Sequence, residues 1–323
     1  MLATHIQALA AYAPDRKLTN ADLEQLVDTS DEWIVTRTGI RERRVAEEDR
    51  YTSDLCAAAV EKLLTQKPDI LSGVELVIAA THTPDYPFPG VACLLQQRFS
   101  LHQAGALDLN ATYALHLADG LLAAGRHRKI LVVAGDTMSK ITDYTDRTTC
   151  ILFGDGAGAA VLESRDTGAG SRLSEVLAAH LGSDGSMGKA CYRSGLKADW
   201  QGEALQSEGC FVQNGREVYK WALSHVPEGI AELCRKAGIA LQDVDWFIPH
   251  SANLRMIQAI CERSGMPMER TLTSVEYNGN TSAASIPLAL ARGIEDGRVQ
   301  RGQVLLLYGF GGGMTEAGLL LRY

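Results

Sequence analysis

Two short motifs place polar side chains beside apolar runs that are typical of buried elements. His250 lies in the segment 249–253 (PHSAN), directly after an apolar strand pattern, and Asn280 lies in 278–282 (NGNTS), before a helical pattern. A histidine that faces a helix N-terminus is favoured in its neutral form, which can donate a hydrogen bond or act as a base. An asparagine amide can donate to a substrate carbonyl. A loop histidine and a turn with a helix cap would also explain these motifs.

Glycines follow two further apolar runs. The segment 309–313 (GFGGG) comes after a predicted strand, where glycines let backbone N–H groups approach an oxyanion. A dinucleotide site instead needs GxGxxG at the start of a βαβ unit with an acidic residue about 20 positions later, and this arrangement is not found there. The segment 154–158 (GDGAG) leads into an apolar run and predicts a turn into a packed strand.

An aromatic and a basic residue share one face of a predicted helix. Ser30 is a suitable N-cap, and Trp33 and Arg37 follow it four positions apart. An indole beside a guanidinium can hold an adenine ring and its phosphates. A tryptophan at this spacing is also typical of a helix packed into a core.

The elements that must position these residues alternate between strands and helices. Apolar runs at 74–80, 106–109 and 129–135 predict strands in a sheet that is covered on both faces. One amphipathic pattern begins with Ser53 as its N-cap, and another covers 115–122 and ends near Gly125. The alternation predicts an α/β fold.

A weak internal repeat predicts two similar halves. The run 74–78 resembles 244–248 at an offset of 170 residues, and 129–135 resembles 303–309 at an offset of 174. We therefore predict an N-terminal half over 1–163, a linking segment over 164–213 and a C-terminal half over 214–323. Chance similarity between buried strands is the competing explanation.

Composition narrows the class of protein. The chain has 323 residues, 46% of them hydrophobic, and a formal net charge of −8. The acidic balance argues against nucleic acid or a membrane surface as the partner. The seven cysteines are scattered and neither they nor the histidines show metal-ligand spacing, so we expect reduced thiols and no metal site. With no apolar segment of about 20 residues and no basic signal-like start, the expected location is cytoplasmic.

Taken in order, the motifs resemble one enzyme family. The segments 31–40 (DEWIVTRTGI), 153–159 (FGDGAGA), 249–253, 279–282 and 310–313 are similar to beta-ketoacyl-acyl-carrier-protein synthase III. The resemblance covers essentially the whole chain. It implies a thiolase fold, with two similar halves in five αβαβα layers and a homodimer. It also implies an acyltransferase that condenses an acyl-CoA primer with malonyl-acyl-carrier protein, with loss of CO2, to initiate fatty-acid synthesis, without a cofactor.

The resemblance assigns roles to individual residues. His250 and Asn280 would stabilise the charge that develops on malonyl decarboxylation, and the backbone of Gly312 would bind the oxyanion of acyl transfer. Phe88 resembles the residue that reaches the partner subunit's acyl pocket. The residues implied in CoA binding are Thr29, Trp33, Arg37, Arg147 and Asn253, and those implied in carrier-protein docking are Arg216, Lys220 and Arg255.

The sequence departs from the family where the nucleophile belongs. The family has a stretch similar to Asn-Ala-x-Cys-Ala-Gly-x-Thr-Tyr, whereas 108–115 reads DLNATYAL. About five residues are absent, including the nucleophilic cysteine expected between Ala111 and Tyr113. Such a loss would rotate the next helix by about 500°, at about 100° per residue, and turn Leu115, Leu117 and Leu121 off their core-facing stripe.

Three interpretations remain open. In the first, which we favour, the protein itself carries about five further residues at this point and is an active synthase. In the second, the deletion is real, and the chain is an inactive thiolase-fold protein that binds acyl groups or partners another synthase. In the third, the chain is a related ketosynthase of secondary metabolism that uses a different acyl-CoA.

Overall fold

Two stacked β-sheets and the helices around them organise the chain. The computed structural model describes residues 2–110, 113–166, 175–205 and 209–323. The strands are β1 (Leu2–Tyr12), β2 (Lys17–Thr19), β3 (Glu42–Arg44), β4 (Leu76–Ala80), β5 (Gly105–Leu109), β6 (Lys129–Thr137), β7 (Asp155–Asp166), β8 (Glu175–Ser183), β9 (Cys191–Arg193), β10 (Asp199–Trp200), β11 (Glu203–Ala204), β12 (Phe211–Gln213), β13 (Trp246–Pro249), β14 (Val304–Gly311) and β15 (Thr315–Arg322). The α-helices are α1 (Asn20–Leu23), α2 (Asp31–Thr38), α3 (Thr52–Gln66), α4 (Val91–Arg98), α5 (Ala114–Ala123), α6 (Gly215–Ala237), α7 (Leu254–Ser264), α8 (Val275–Asn278) and α9 (Ser285–Glu295).

The first sheet has the strand order β1-β7-β6-β4-β5. Strand β4 pairs in parallel with β5 and β6, and β7 pairs antiparallel with β6 and β1. The apolar run in β4 is buried along its whole length, as expected for a strand covered on both faces. That expectation is wrong for β5, which is the edge strand and is exposed at four of its five residues.

The second sheet repeats the arrangement of the first. Its order is β13-β14-β15-β8, with β13 and β14 parallel and the other two pairs antiparallel. Strands β4 and β13 therefore occupy equivalent positions, as do β6 and β14, and these are the two pairs that the sequence repeat matched. Where the first sheet has β5, the second has a single parallel bridge from Phe247 to Thr271.

The segment predicted to link the halves is partly built into the second sheet. Strand β8, from Glu175 to Ser183, pairs with β15 and forms the outer edge of that sheet. Strand β7 continues to Asp166, past the predicted end of the first half at residue 163. Within the described part of 164–213, the rest consists of short strands and one 3-10 turn, Gly185–Ala190.

The helices form three layers around the sheets. Helices α3 and α4 cover the outer face of the first sheet, and α6 and α7 cover the outer face of the second. Helices α5 and α9 lie between the sheets and contact strands of the first, while α9 also contacts β13 and β14. The layers therefore follow the order αβαβα, which confirms the predicted fold class.

Local capping explains several helix boundaries and corrects two predictions. Ser30 accepts a hydrogen bond from the Trp33 N–H at 3.2 Å and caps α2 as predicted. Ser53 does not cap α3, because the helix begins at Thr52 and the Ser53 hydroxyl instead donates to Asp85. Neither Thr281 nor Ser282 caps α9 with its side chain.

Candidate active site

One cavity of about 620 Å³ brings together the central residues predicted from the motifs. Its outer part is lined by exposed side chains such as Arg37 and Tyr219, and its inner part by apolar residues of the layer between the sheets. His250, Asn280 and Gly312 all line it. The histidine motif and the asparagine motif, whose functions are ambiguous from sequence, therefore meet at one site.

His250 is fixed by the strand that precedes it and by the ring beside it. Its backbone N–H donates to the Tyr308 carbonyl at 2.8 Å, and its ring packs edge-to-face on Phe310 at 5.3 Å between centroids. Its Nδ1 lies 2.7 Å from the Ser285 hydroxyl. The pKa of His250 is lowered to about 4, mainly by burial and also by nearby His82, while Asp136 opposes the shift. The histidine is therefore neutral near pH 7, as predicted, with burial as the main cause.

Asn280 is held where two glycine-containing loops touch. Its backbone N–H donates to the Leu152 carbonyl at 2.8 Å, and its carbonyl accepts from Gly154 N–H at 3.1 Å. A Cβ at Gly154 would lie 2.0 Å from the Asn278 carbonyl oxygen, and Gly279 has a φ of 68°. Only glycine fits these two positions, which explains why both motifs carry it.

The amide of Asn280 has a defined orientation. Its Oδ1 accepts a hydrogen bond from the Ser282 N–H at 3.0 Å. The carbonyl end of the side chain is therefore turned into the loop, and the Nδ2 end is the group that can donate into the cavity. This is the orientation that stabilisation of a negative oxygen requires.

Gly312 follows β14 at the turn into β15 and lines the cavity opposite the short strand β9. A Cβ at Gly312 would lie 3.0 Å from the Cys191 carbonyl oxygen, so a larger residue would crowd this wall. Gly312 lines the same cavity as His250 and Asn280. Its assignment to an oxyanion hole remains a prediction.

Three of the five predicted CoA residues line the cavity, and a fourth, Arg147, contacts one of them. The Arg147 and Arg37 guanidinium groups lie 4.9 Å and 5.6 Å from the Trp33 ring centroid, and Trp33 and Arg37 line the cavity together with Asn253. The Asn253 side chain also caps α7 by accepting from the Arg255 N–H at 2.8 Å. Thr29 is outside the cavity lining, and its buried hydroxyl has no hydrogen-bond partner among the described residues.

The predicted docking residues are exposed near the mouth. Arg216 and Lys220 lie one turn apart on α6, and within the described chain neither forms an ion pair. Arg255 lies on α7 and donates to the Thr36 carbonyl at 2.9 Å, which ties it to α2. Phe88 is 86% exposed and does not line the cavity of its own chain.

Described residues on either side of the expected nucleophile position line the same cavity. Asn110 and Ala114 flank it and both line the cavity, whereas Ala111 and Thr112 lie outside the described residues. Among the seven cysteines, all of them described, Cys191 is the one in the cavity lining. Burial raises the pKa of Cys191 to about 12, so this thiol is a poor nucleophile. The expectation that none of the seven cysteines replaces the missing one stays a prediction.

Three site residues were missed by the sequence analysis. His82 and Ser282 line the cavity, and their side chains meet at 3.2 Å between Nδ1 and Oγ. Asp136 lies beneath them, fully buried at the end of β6. The repeat offset of 170 residues offered a signal, because it aligns residue 80, at the end of β4, with His250. The loop that follows β4 was therefore a candidate for the same site.

The described residues show neither a metal-binding cluster nor a membrane-spanning helix. They contain no group of three or more histidine, cysteine or acidic side chains arranged to hold a metal ion. Over the same residues, the helices are all too short or too polar to cross a membrane.

The duplicated five-layer architecture, with a histidine and an asparagine at a cavity between the halves, defines a protein of the thiolase-fold class. Two family models match the chain: 3-oxoacyl-[acyl-carrier-protein (ACP)] synthase III over residues 109–185, and the C-terminal part of the same synthase over 234–323. The chain belongs to the 3-oxoacyl-[acyl-carrier-protein] synthase III family.

Individual relatives agree with this assignment. Beta-ketoacyl-[acyl-carrier-protein] synthase III 2 of Bacillus subtilis is 53% identical over 98% of both chains. The synthase III of Xanthomonas campestris is 43% identical over 99% of this chain and 98% of its own. The solved structure of the Thermus thermophilus synthase III has a TM-score of 0.93, with 46% identity over 99% of both chains. The predicted family, fold and class of acyl-transferring condensing enzyme are thus confirmed, and the comparisons do not favour the two alternatives.

The comparison with the Xanthomonas synthase also shows that this chain lacks some residues of a relative. It runs over 326 positions, which exceeds the 323 residues of this chain. That relative therefore has residues at some positions where this chain has none.

Proposed function

We propose that this protein condenses an acyl-CoA primer with malonyl-acyl-carrier protein, releases CO2 and forms the 3-oxoacyl-acyl-carrier protein that initiates fatty-acid synthesis. One observation carries the proposal. The residues that flank the family's nucleophile position line the same cavity as His250, Asn280 and Gly312. A thiol at that position would face both donors and the glycine backbone. The reaction needs these groups within reach of one carbonyl carbon.

The first half-reaction transfers the acyl group. The thiolate of a cysteine between Ala111 and Tyr113 attacks the acyl-CoA carbonyl, and the CoA thiol leaves as the acyl-cysteine thioester forms. The Gly312 N–H stabilises the tetrahedral oxyanion between these steps. The 323-residue sequence lacks this cysteine, so the half-reaction depends on the about five residues that the family carries at this point.

The second half-reaction uses residues that the chain does contain. The malonyl group loses CO2, and the electron pair of the broken C–C bond moves onto the thioester oxygen as an enolate. His250 Nε2 and Asn280 Nδ2 donate hydrogen bonds to this oxygen. The enolate carbon then attacks the acyl-cysteine carbonyl, and the cysteine thiolate leaves. Without an acyl-cysteine, a proton from solvent quenches the enolate, and the product is acetyl-carrier protein.

If His250 donates from Nε2, the direction of the Ser285 hydroxyl proton beside Nδ1 is fixed. A neutral imidazole that donates at Nε2 must accept at Nδ1, so the Ser285 hydroxyl has to donate to Nδ1 across 2.7 Å. The same hydroxyl also lies 2.8 Å from the Ser282 carbonyl, which can only accept. One proton cannot serve both, and the proposed mechanism requires it to point to His250.

The outer part of the cavity fits a CoA thioester. An adenine ring would stack on Trp33 by displacing Arg147, which is held outside by a 3.4 Å ion pair to exposed Asp28. Arg37 would face the phosphates and Asn253 the pantetheine arm, with Thr29 nearby. Arg216, Lys220 and Arg255 give an acidic chain a local basic surface for the acidic carrier protein. No resident cofactor is part of this proposal.

We also propose a homodimer in the cytoplasm. Strand β5 presents an unpaired edge, Leu107 in it is 39% exposed, and Phe88 projects with 86% exposure. Pairing of β5 with a second copy would cover this edge and bring Phe88 to the partner's acyl pocket. The seven free cysteines fit a reducing compartment.

Decarboxylation of malonyl-acyl-carrier protein by purified Asn280 variants tests the proposal. Asn280→Asp keeps the Oδ1 acceptor for Ser282 and replaces the amide donor by a carboxylate oxygen, whereas Asn280→Ala removes both groups. Both variants are expected to lower the rate of acetyl-carrier-protein formation by about 100-fold or more. His102→Ala, at an exposed histidine, is the control and should leave the rate unchanged. Unchanged decarboxylation in Asn280→Asp would refute the donor role.

A further inference from the structure

We propose that His82 is a positioning residue for the two donors of the active site, acting through Ser282. The proposal rests on the function proposed above and adds a residue to its machinery. His82 lies in the loop after β4, and its Nδ1 is 3.2 Å from the Ser282 hydroxyl.

Ser282 is the residue through which both donors are held. Its N–H donates to Asn280 Oδ1 at 3.0 Å, which sets the orientation of the amide. Its carbonyl lies 2.8 Å from the Ser285 hydroxyl, which in turn is 2.7 Å from His250 Nδ1. A displacement of Ser282 would therefore disturb Asn280 directly, and it would change the packing around Ser285, which is the hydrogen-bond partner of His250.

The backbone of Ser282 needs an external anchor. Its φ of 49° lies in the left-handed region, which costs a residue with a Cβ about 1 kcal/mol. Such a conformation persists when surrounding contacts fix it. The His82 side chain supplies the contact to the Ser282 hydroxyl.

A buried carboxylate fixes both members of the pair. Asp136 Oδ1 accepts from the His82 N–H at 2.7 Å, and its Oδ2 accepts from the Ala283 N–H at 3.0 Å. Thr81 and Thr83 also donate to Oδ1, at 2.8 Å and 2.9 Å from their hydroxyls. Asp136, His82, Ser282 and Ala283 thus form a closed ring of contacts that joins the two halves of the molecule. The His82–Ser282 contact in this ring joins two side chains. A substitution at either residue can therefore remove it and leave the backbone contacts with Asp136 in place.

Steady-state decarboxylation of malonyl-acyl-carrier protein by variants of the full chain tests this role. His82→Ala is expected to lower kcat by about tenfold to a hundredfold and to leave KM within about twofold, since the donors move but the outer cavity does not. His82→Asn places an amide close to the position of Nδ1 and should restore most of kcat. A residue that only supported the fold would change the melting temperature without this split between kcat and KM.

A double-mutant cycle separates positioning from direct contact with substrate. If His82 acts through Ser282, then Ser282→Ala should lower kcat by a similar factor, and the double variant should be no slower than either single variant. Multiplied losses in the double variant would show that His82 acts on the substrate itself and would overturn the proposal. Unchanged kcat in His82→Ala would overturn it as well.

Two further measurements keep the outcome distinct from that of the proposed function. If the wild-type protein does not decarboxylate the malonyl thioester, or Asn280→Asp leaves the rate unchanged, the proposed function fails. If both behave as expected and His82→Ala remains fast, only the role of His82 fails. His102→Ala is the matched loss of an exposed histidine and should match the wild type.

Discussion

The two halves of the molecule share one strand order but differ in the connection that matters most for chemistry. In the C-terminal half, the chain runs from the bridge at Thr271 to α9 and carries Asn280 on the way. In the N-terminal half, the equivalent connection from β5 to α5 is limited to residues 110–113. The longer connection is anchored on the Gly154 loop and on Asp136, in the other half.

This difference shows which functions of the site depend on packing and which on a single residue. The donors of the C-terminal half are set by hydrogen bonds from several elements, and they are in place in the chain as it stands. The nucleophile of the family belongs to the shorter connection, and no neighbouring thiol compensates for its loss. In the proposed mechanism, the half with the intact connection stabilises the enolate, and acyl transfer needs the other half.

The largest effect is expected from restoring the N-terminal connection. A segment of about five residues containing cysteine, inserted between Ala111 and Thr112, should change acyl-CoA condensation from undetectable to measurable, because it supplies the thiolate. The measurement is formation of 3-oxoacyl-carrier protein from acyl-CoA and malonyl-carrier protein. Decarboxylation without condensation is expected from the 323-residue chain.

The matched control carries the same insertion with serine in place of cysteine. It should restore the length of the connection without restoring condensation, since a serine hydroxyl there lacks a general base. Condensation by the 323-residue chain itself would contradict the comparison of the halves. Intact mass spectrometry of the protein from its source decides whether the segment is naturally present: a mass of 34.9 kDa supports a real deletion, and an excess of about five residues supports an active synthase.

The second effect concerns two glycines of the N-terminal half, of which one meets the Asn280 loop of the other half and one is exposed on a helix. Gly154→Ala would place a Cβ 2.0 Å from the Asn278 carbonyl and should destabilise the protein by about 3 kcal/mol, with loss of decarboxylation as the Asn280 loop shifts. Gly120→Ala, in α5, meets no atom within 4 Å and replaces an exposed helical glycine. It should stabilise the protein by about 0.5 to 1 kcal/mol.

Urea unfolding measures both changes, and the decarboxylation rate reports on the loop. If Gly154→Ala kept the wild-type stability and rate, the contact between the two glycine loops would not be what holds Asn280. If Gly120→Ala were destabilising, α5 would be packed more tightly around its exposed face than the structure indicates.

Much of this architecture was predictable because the two sheets are buried and repeated. Long apolar runs specify strands such as β4 and β6, and their offset matches specify equivalent positions in the two sheets. The motifs around His250 and Asn280 were found for a related reason. Glycines and polar residues are unusual within a pattern of buried apolar residues. Here they interrupt the pattern because they line the cavity.

Other features depend on tertiary contacts that a linear pattern does not contain. The apolar run in β5 resembles that of β4, yet β5 is exposed because it lies at the sheet edge. Ser53 has the chemistry of a cap, but Asp85 binds it from another loop. The pairing of His82 with Ser282 joins residues 200 positions apart.

Helix α5 shows how the N-terminal half accommodates its short connection. The fully buried positions are Ala114, Ala118 and Leu122, and the predicted core leucines, Leu115, Leu117 and Leu121, are half-buried. These leucines still pack against the core between the sheets, because α5 lies in the middle layer and has apolar neighbours on more than one side. The most buried stripe of α5 is therefore formed by Ala114, Ala118 and Leu122, and the three predicted leucines lie beside it.

A more gradual effect is expected from pH, and it also distinguishes the halves. Burial lowers the pKa of both His250 and His5 to about 4, from 6.5. Between pH 6.5 and 4 the unfolded chain binds more protons than the folded one at both sites, so the free energy of unfolding should fall as the pH falls through this window. For His250, the loss is at most about 3 kcal/mol. His5 should contribute less, because it is only partly buried.

Replacing each histidine by glutamine separates the two contributions. His250→Gln should flatten the dependence of the urea midpoint on pH between 6.5 and 4 more than His5→Gln does. The shift at His5 also includes repulsion from Arg165 and Arg301, so its contribution should weaken in high salt, whereas that of His250 should persist because its main cause is burial. An equal flattening by both variants, or a contribution of His250 that salt removes, would show that the neutral state of the active-site histidine is set by surrounding charges rather than by burial.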